Sequence, residues 1–290
     1  MARKKKRVSS SINIPIGPIS GKRIDALHMI IQTDNLTLGY PGKTLCRNLN
    51  VTINSGECWA ILGQNGSGKT TLLHALGGLH QPENGVKAGI RADGKPLQDW
   101  ARRELARNLG ILLQEEPGEF WGNVREYVLL GRHPHLRSLF GWHATDREIA
   151  DQAMERMELT DLAHRSLATL SGGERQRARI ALLLSQSPSC YLLDEPLQYL
   201  DVRHQSATLT LFHELARQGR TVVMVLHDAS WATHFCDHVL MLFDNGSALA
   251  GPTAEVLSRI NLETLYQCRM HEIEVNATRH FIPAGDRPSV

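Results

Sequence analysis

The stretch GQNGSGKTT, Gly63 to Thr71, restricts this chain more than any other feature. It fits G-x-x-x-x-G-K-[ST] at every fixed position. It follows the apolar run CWAIL and opens KTTLLHALGGL, so a buried strand must become a helix across a glycine-rich loop. Gly63, Gly66 and Gly68 let the backbone wrap close to phosphate oxygens with N–H groups pointing inward. Gln64, Asn65, Ser67 and Thr71 complete that cradle. Lys69 would bridge the β- and γ-phosphates of a nucleoside triphosphate, and Thr70 would offer its hydroxyl to Mg²⁺.

A phosphate loop needs a second acid for its metal, normally at the end of a neighbouring strand. CYLLDEP supplies Asp194 straight after an apolar run, with Glu195 beside it. Asp194 is expected to hold the metal and Glu195 to polarise the attacking water as general base. A third stretch, LSGGERQRARI from Leu170 to Ile180, reads at first as a helix start. Ser171 and Glu174 have capping-box spacing, each satisfying a free backbone N–H at the first turn. A helix N-terminus lined by Gly172 and Gly173 is also a ready anion site.

The remaining pattern supports an α/β fold. Alternating segments between Ile30 and Ile53 read as antiparallel strands. Residues 99–187 are mostly helical in pattern, including a helix with Thr145 as N-cap and Glu148 three residues on. CYLLDE and TVVMVLHD are apolar strands flanking a helix around 203–218, and VLMLFDNGSALAG is a hairpin turning at Asn245–Gly246. Strands alternating with helices imply a parallel sheet covered by helices.

Composition limits the function classes. At 290 residues, 42% hydrophobic and 21% charged, the chain has the make-up of a globular protein able to bury a sizeable core. No uncharged apolar run approaches the ~18–20 residues of a membrane span, and no secretory signal is read. Five scattered cysteines without a C-x-x-C pair fit reduced cytosolic thiols. A net charge of +2 does not call for nucleic acid; the basic run Arg3 to Arg7 marks residues 1–28 as a solvated tail. His234, Cys236 and His238 in HFCDH invite a metal reading, but a cysteine between two histidines four apart points away from their shared face. Of the tryptophans in the helical region, Trp100 and Trp142 could be core, and Trp121 is the candidate for facing a partner.

Taken together, these stretches resemble the ATP-binding cassette (ABC) family over roughly residues 30–267, in that family's order. LSGGERQ is similar to its signature sequence. The resemblance implies a P-loop ATPase core with an antiparallel β subdomain and an inserted α-helical subdomain at about 115–187. The ATPase domain would then span 29–267, with 268–290 as a C-terminal tail. It further implies that Gln114 in LGILLQEEP contributes to the metal and the water. His227 in VLHD is expected near the γ-phosphate, and Tyr40 is expected to stack on adenine. Two cassettes would pack head to tail, so that Ser171, Gly172, Gly173 and Asp201 serve the partner's ATP. ATP and Mg²⁺ are the expected cofactors and hydrolysis the expected activity.

The subclass follows from further stretches. VLLGRHPH, DGKPLQDWARRELAR, VLHDASWATHFCDHVLML and GPTAEVLSRINLETLY resemble importers for iron-siderophore, haem or cobalamin-type cargo. Such a subunit would be a homodimer on the cytoplasmic face of the inner membrane, bound to permease subunits and fed by a substrate-binding protein. Leu197 stands where a small hydroxylated residue is usual, ARIALLLSQ lacks the usual second arginine, and QEEPGEFWGN is unusually acidic and aromatic. An exporter subunit would share every catalytic motif. A DNA-repair ATPase would need a long heptad insertion, and a translation factor a second cassette; no nucleic-acid partner is expected.

Overall fold

A computed structural model describes residues 28–40, 42–79, 89–114, 120–136, 141–275 and 278–285. The basic run Arg3 to Arg7 and all but His28 of the expected 1–28 tail therefore lie outside the described residues.

Twelve strands and nine α-helices are described. In chain order the strands are β1 (Ile31–Tyr40), β2 (Lys43–Ile53), β3 (Cys58–Gly63), β4 (Gly89–Ala92), β5 (Lys95–Pro96), β6 (Leu109–Leu112), β7 (Cys190–Asp194), β8 (Thr221–Val225), β9 (His238–Leu242), β10 (Ala248–Pro252), β11 (Met270–Val275) and β12 (Thr278–Pro283). The helices are α1 (Lys69–Leu76), α2 (Arg102–Asn108), α3 (Val124–Leu129), α4 (Ala144–Arg156), α5 (Gly172–Gln186), α6 (Val202–Arg217), α7 (Ala229–Phe235), α8 (Thr253–Val256) and α9 (Arg259–Tyr266).

The central sheet has the order β10-β9-β3-β8-β7-β6. Its four pairings from β9 to β6 are parallel, and β10 joins β9 antiparallel at the edge. Along β3, Cys58, Ala60 and Leu62 face a core shared with α5, α6 and α7, whereas Trp59 and Ile61 face a second core shared with α1, β1 and β2. Period two with both faces buried is what a helix-covered parallel strand requires, and it makes CWAIL continuously apolar. The second layer is the antiparallel sheet β2-β1-β4-β5, as the alternating 30–53 segment predicts. Helices α3, α4 and α5 pack on one another as the helical subdomain.

Four details differ from the sequence reading. The 99–187 region contains the strand β6, a four-residue buried segment too short to declare itself against helical neighbours. Helix α4 starts at Ala144 with His143 as N-cap rather than Thr145, because the buried Asp146 carboxylate takes the His143 N–H at 3.2 Å while pairing with Arg132 at 3.0 Å. The β9–β10 connection is a longer turn in which Gly246 alone adopts positive φ, closed by Phe243 and Ser247. Finally, the region after 267, expected as a tail, holds the β11–β12 hairpin, anchored by Met270 and Phe281 in the core and by packing on α7.

GRHPH also gains a packing explanation. A Cβ on Gly131 would lie 2.1 Å from the Ser185 hydroxyl and 2.2 Å from the Leu182 carbonyl, so only glycine lets this turn lie against α5. Arg132 then reaches the Ser185 carbonyl at 2.8 Å and His135 the Gln186 carbonyl at 2.9 Å, pinning the turn to the C-terminal half of α5.

Candidate functional site

Parallel strands deliver their C-terminal ends to one edge of the sheet, which is where open α/β sheets bind ligands. Here β3 ends at Gly63, β7 at Asp194, β8 two residues before His227, and β6 two residues before Gln114. These ends surround an open cleft of about 510 Å³ lined by Tyr40, Asn65, Lys69, Gln114, Glu195 and His227 among others.

The phosphate loop is held from several sides. A Cβ on Gly63 would fall 2.4 Å from the Ser67 hydroxyl and 2.8 Å from the Leu242 carbonyl, and Gly68 has φ 99° with Leu45 against it. Lys43 donates to the Gly66 carbonyl at 3.0 Å, and Gln64 donates to the Leu265 carbonyl at 2.8 Å. Lys69 is buried and its Nζ donates back to the Gly63 and Gln64 carbonyls, each at 2.9 Å. Burial lowers its pKa, and the Glu195 and Asp194 carboxylates offset part of that.

Asp194 is 1% exposed, and neither carboxylate oxygen has a hydrogen-bond partner. Burial raises its pKa; the neighbouring Thr70 hydroxyl opposes the shift, and Glu195 adds to it. An orphaned buried carboxylate is costly unless something cationic completes it. Its position beside the Thr70 hydroxyl is the oxygen-only donor set that suits a hard divalent ion such as Mg²⁺. Glu195 follows at φ 48°, a left-handed conformation seldom adopted by glutamate, and its Oε1 lies 2.8 Å from His227 Nε2. Tyr40 is half-exposed at the rim, with its hydroxyl 3.1 Å from the Thr71 hydroxyl.

The signature segment sits elsewhere. Ser171, Gly172, Gly173 and Asp201 do not line the cleft. Ser171 caps α5 in a full capping box: its N–H donates to Glu174 Oε2 at 2.7 Å, and its hydroxyl accepts from the Glu174 N–H at 3.3 Å. The Ser171 N–H and hydroxyl hold the Glu174 carboxyl below its ordinary range. Asp201 caps α6 and accepts from the N–H and ring of His204, both at 2.9 Å, which lowers its pKa. Thus both groups are locally satisfied, with Ser171 and Asp201 exposed at helix starts.

Sequence reasoning missed Tyr199. It is 69% exposed with φ 64°, and its side chain and carbonyl pack against Gly172 and Gly173, so the signature rests on the loop after Glu195. The only available signal was a bulky residue between DEP and LD. It also missed Gln176 and Arg179, buried polar residues on α5. Trp121 is 87% exposed, Trp142 is partly buried, and Trp100 packs against the core under Lys95. QEEPGEFWGN lies partly outside the described residues, at 115–119. The HFCDH residues are separated: His238 stacks on Trp59, Cys236 packs against Cys58, and His234 meets Phe235 edge-on. The described cysteines are all free thiols. Among the described residues no helix is long and apolar enough to cross a membrane.

The chain is similar to known proteins in sequence and fold. A family model described as ABC transporter matches residues 46–198. The ferric enterobactin transport ATP-binding protein of Escherichia coli (strain K12) is 38% identical over 88% of this chain and 94% of its own length. A hemin import ATP-binding protein of Deinococcus radiodurans is 39% identical over 86% of this chain and 93% of its own. A solved dimeric structure of a bacterial ABC transporter cassette superposes with TM-score 0.68 at 28% identity, covering 77% of this chain and 98% of that one.

Proposed function

The chain belongs to the ABC transporter family of ATP-binding, ATP-hydrolysing subunits, and we propose that it powers import of an iron chelate of the siderophore or haem kind. The observation that carries the cargo reading is its likeness to import ATP-binding proteins along nearly their whole length.

In this reading the cleft takes ATP with its phosphates in the Gly63–Thr71 cradle and its adenine against Tyr40. Lys69 exchanges the Gly63 and Gln64 carbonyls for phosphate oxygens, a swap from neutral acceptors to anionic ones that strengthens each bond. Asp194, Thr70 and Gln114 would hold Mg²⁺, which when bound would supply charge neutralisation for the phosphates. Glu195 takes a proton from the attacking water, and His227, now paired with Glu195, reaches the γ-phosphate.

One chain carries only half of what this chemistry needs. Two copies are expected to join head to tail, so that the Ser171 hydroxyl and the Gly172 and Gly173 amides meet the partner copy's γ-phosphate. Asp201, the exposed N-cap of α6, is expected to serve the partner copy's nucleotide as well. ATP then closes the dimer and hydrolysis releases it, a two-state switch biased by a shared anion. The dimer is expected to sit on the cytoplasmic side of permease subunits, with a substrate-binding protein delivering cargo. Deleting the chain's gene should abolish uptake of one iron chelate while leaving others intact; unchanged uptake of every siderophore and of haem would refute the import reading.

A further inference from the structure

Helix α5 carries the signature at its N-terminus, and its second turn holds two buried polar side chains that the proposed chemistry does not use. Arg179 is 8% exposed and Gln176, one turn earlier on the same face, is 2% exposed. The Arg179 guanidinium donates to the Leu113 carbonyl, to the Gln114 carbonyl at 3.4 Å and to Gln176 Oε1 at 2.9 Å. Gln176 in turn donates through Nε2 to the Pro196 carbonyl at 3.1 Å. Leu113 and Gln114 follow β6, and Pro196 follows Glu195, so one pair of side chains grips the backbone of both loops that flank the cleft.

We infer that Arg179 is a positioning residue for ATP hydrolysis: through the Leu113 and Gln114 carbonyls and through Gln176, it fixes Gln114 relative to Glu195. The inference rests on the reading that Gln114 acts at the nucleotide. A planar fork with five donors can serve three acceptors in different directions, which the point charge of lysine cannot. The burial also argues for a specific task. A cation taken out of water is costly unless its donors are well matched, and here its partners are carbonyls of a catalytic loop and an amide bound to the other. Because the same helix begins at Ser171, a shift of α5 is transmitted to both loops as one body.

The test is a double-mutant cycle on steady-state ATP hydrolysis by the full chain, using Arg179→Met, Gln114→Ala and the double variant. Arg179→Met is expected to lower kcat about tenfold with KM within about twofold, the pattern of a lost transition-state contact rather than lost binding. In the Gln114→Ala background the same change should cost less than about twofold, because the group it positions is gone. Arg179→Lys, which keeps charge but serves fewer acceptors, should fall between the wild type and Arg179→Met. Additive losses in the cycle, or an Arg179→Met variant with unchanged kcat, would overturn the inference while leaving Gln114 in place. A Gln114→Ala variant that hydrolyses ATP normally would remove the reading of Gln114 and this inference together. Should Arg179→Met not fold, as judged by thermal melting, Arg179→Lys carries the cycle: a smaller kcat loss that disappears in the Gln114→Ala background supports the inference, and an additive loss or unchanged kcat overturns it.

Discussion

The cleft and the signature face are built from opposite materials. In the cleft, groups that are expensive to bury are brought together and left incomplete: Asp194 has little beyond the neighbouring Thr70 hydroxyl to offset its burial, Lys69 makes do with two carbonyls, and Glu195 is held at positive φ against His227. On the signature face the polar groups are complete within the chain. Ser171 and Glu174 satisfy each other, and Asp201 is matched by His204. The first region therefore gains from a ligand that completes its charges, whereas the second is already satisfied at helix starts whose caps Ser171 and Asp201 are exposed. That asymmetry fits a site divided between two copies, with one half storing the unsatisfied charge and the other supplying a preformed, locally satisfied face.

If the cleft holds the chemistry, Glu195→Gln should reduce phosphate release by about 10²–10⁴-fold, the range of a lost general base, while fluorescent-nucleotide titration finds ATP binding intact. A rate within a few-fold of wild type would move the base elsewhere. The signature face is separated from the cleft by Ser171→Arg. Hydrolysis should drop at least about tenfold, the cost of losing one charge-assisted contact and adding a clash, with the monomer's ATP affinity unchanged. A parallel loss of affinity would mean that Ser171 serves its own chain's nucleotide.

Lys69→Ala should do the reverse and weaken ATP binding itself about 10–100-fold, as expected for losing a hydrogen-bonded charge of about 1.5–3 kcal/mol. Isothermal titration calorimetry measures this directly, and an unchanged Kd would contradict the role given to Lys69.

The smallest effect concerns the stored charge. The folded pKa of Asp194 is raised, so the folded chain binds this proton more tightly than the unfolded one. The resulting stabilisation is complete below the ordinary carboxylate pKa and is lost as pH rises through the folded value. Without metal and nucleotide, Asp194→Asn should therefore melt a few degrees higher at neutral pH, with the difference vanishing toward acid. Equal or lower melting at neutral pH would show that the carboxylate is already compensated in the empty cleft.

Legibility from sequence followed the same division. Cleft residues lie at the ends of buried strands, where periodicity locates the strand and the motif locates the side chain, so Lys69, Asp194 and Glu195 could be assigned to one place from their residues, and His227 only through the family resemblance. Gly63 and Gly68 carried their own reasons, since a Cβ at either would strike Ser67 or Leu45. Arg179 and Gln176 were not legible as a relay, because their partners are backbone carbonyls that leave no trace in side-chain pattern. Strand β6 was hidden by its length, and the β11–β12 hairpin because most of its residues are exposed and only Met270 and Phe281 report a core contact. Tyr199 shows the limit best: its importance comes from the glycines it lies against, Gly172 and Gly173, which are distant in sequence.

The division of the ATP site is tested most directly by the mass of Glu195→Gln with and without ATP, read by light scattering on a sizing column. A divided site predicts a monomer without nucleotide and a dimer with ATP, retaining two ATP per dimer. It predicts that adding Ser171→Arg abolishes the dimer while each chain still binds ATP. A Glu195→Gln chain that binds ATP yet remains monomeric would contradict it.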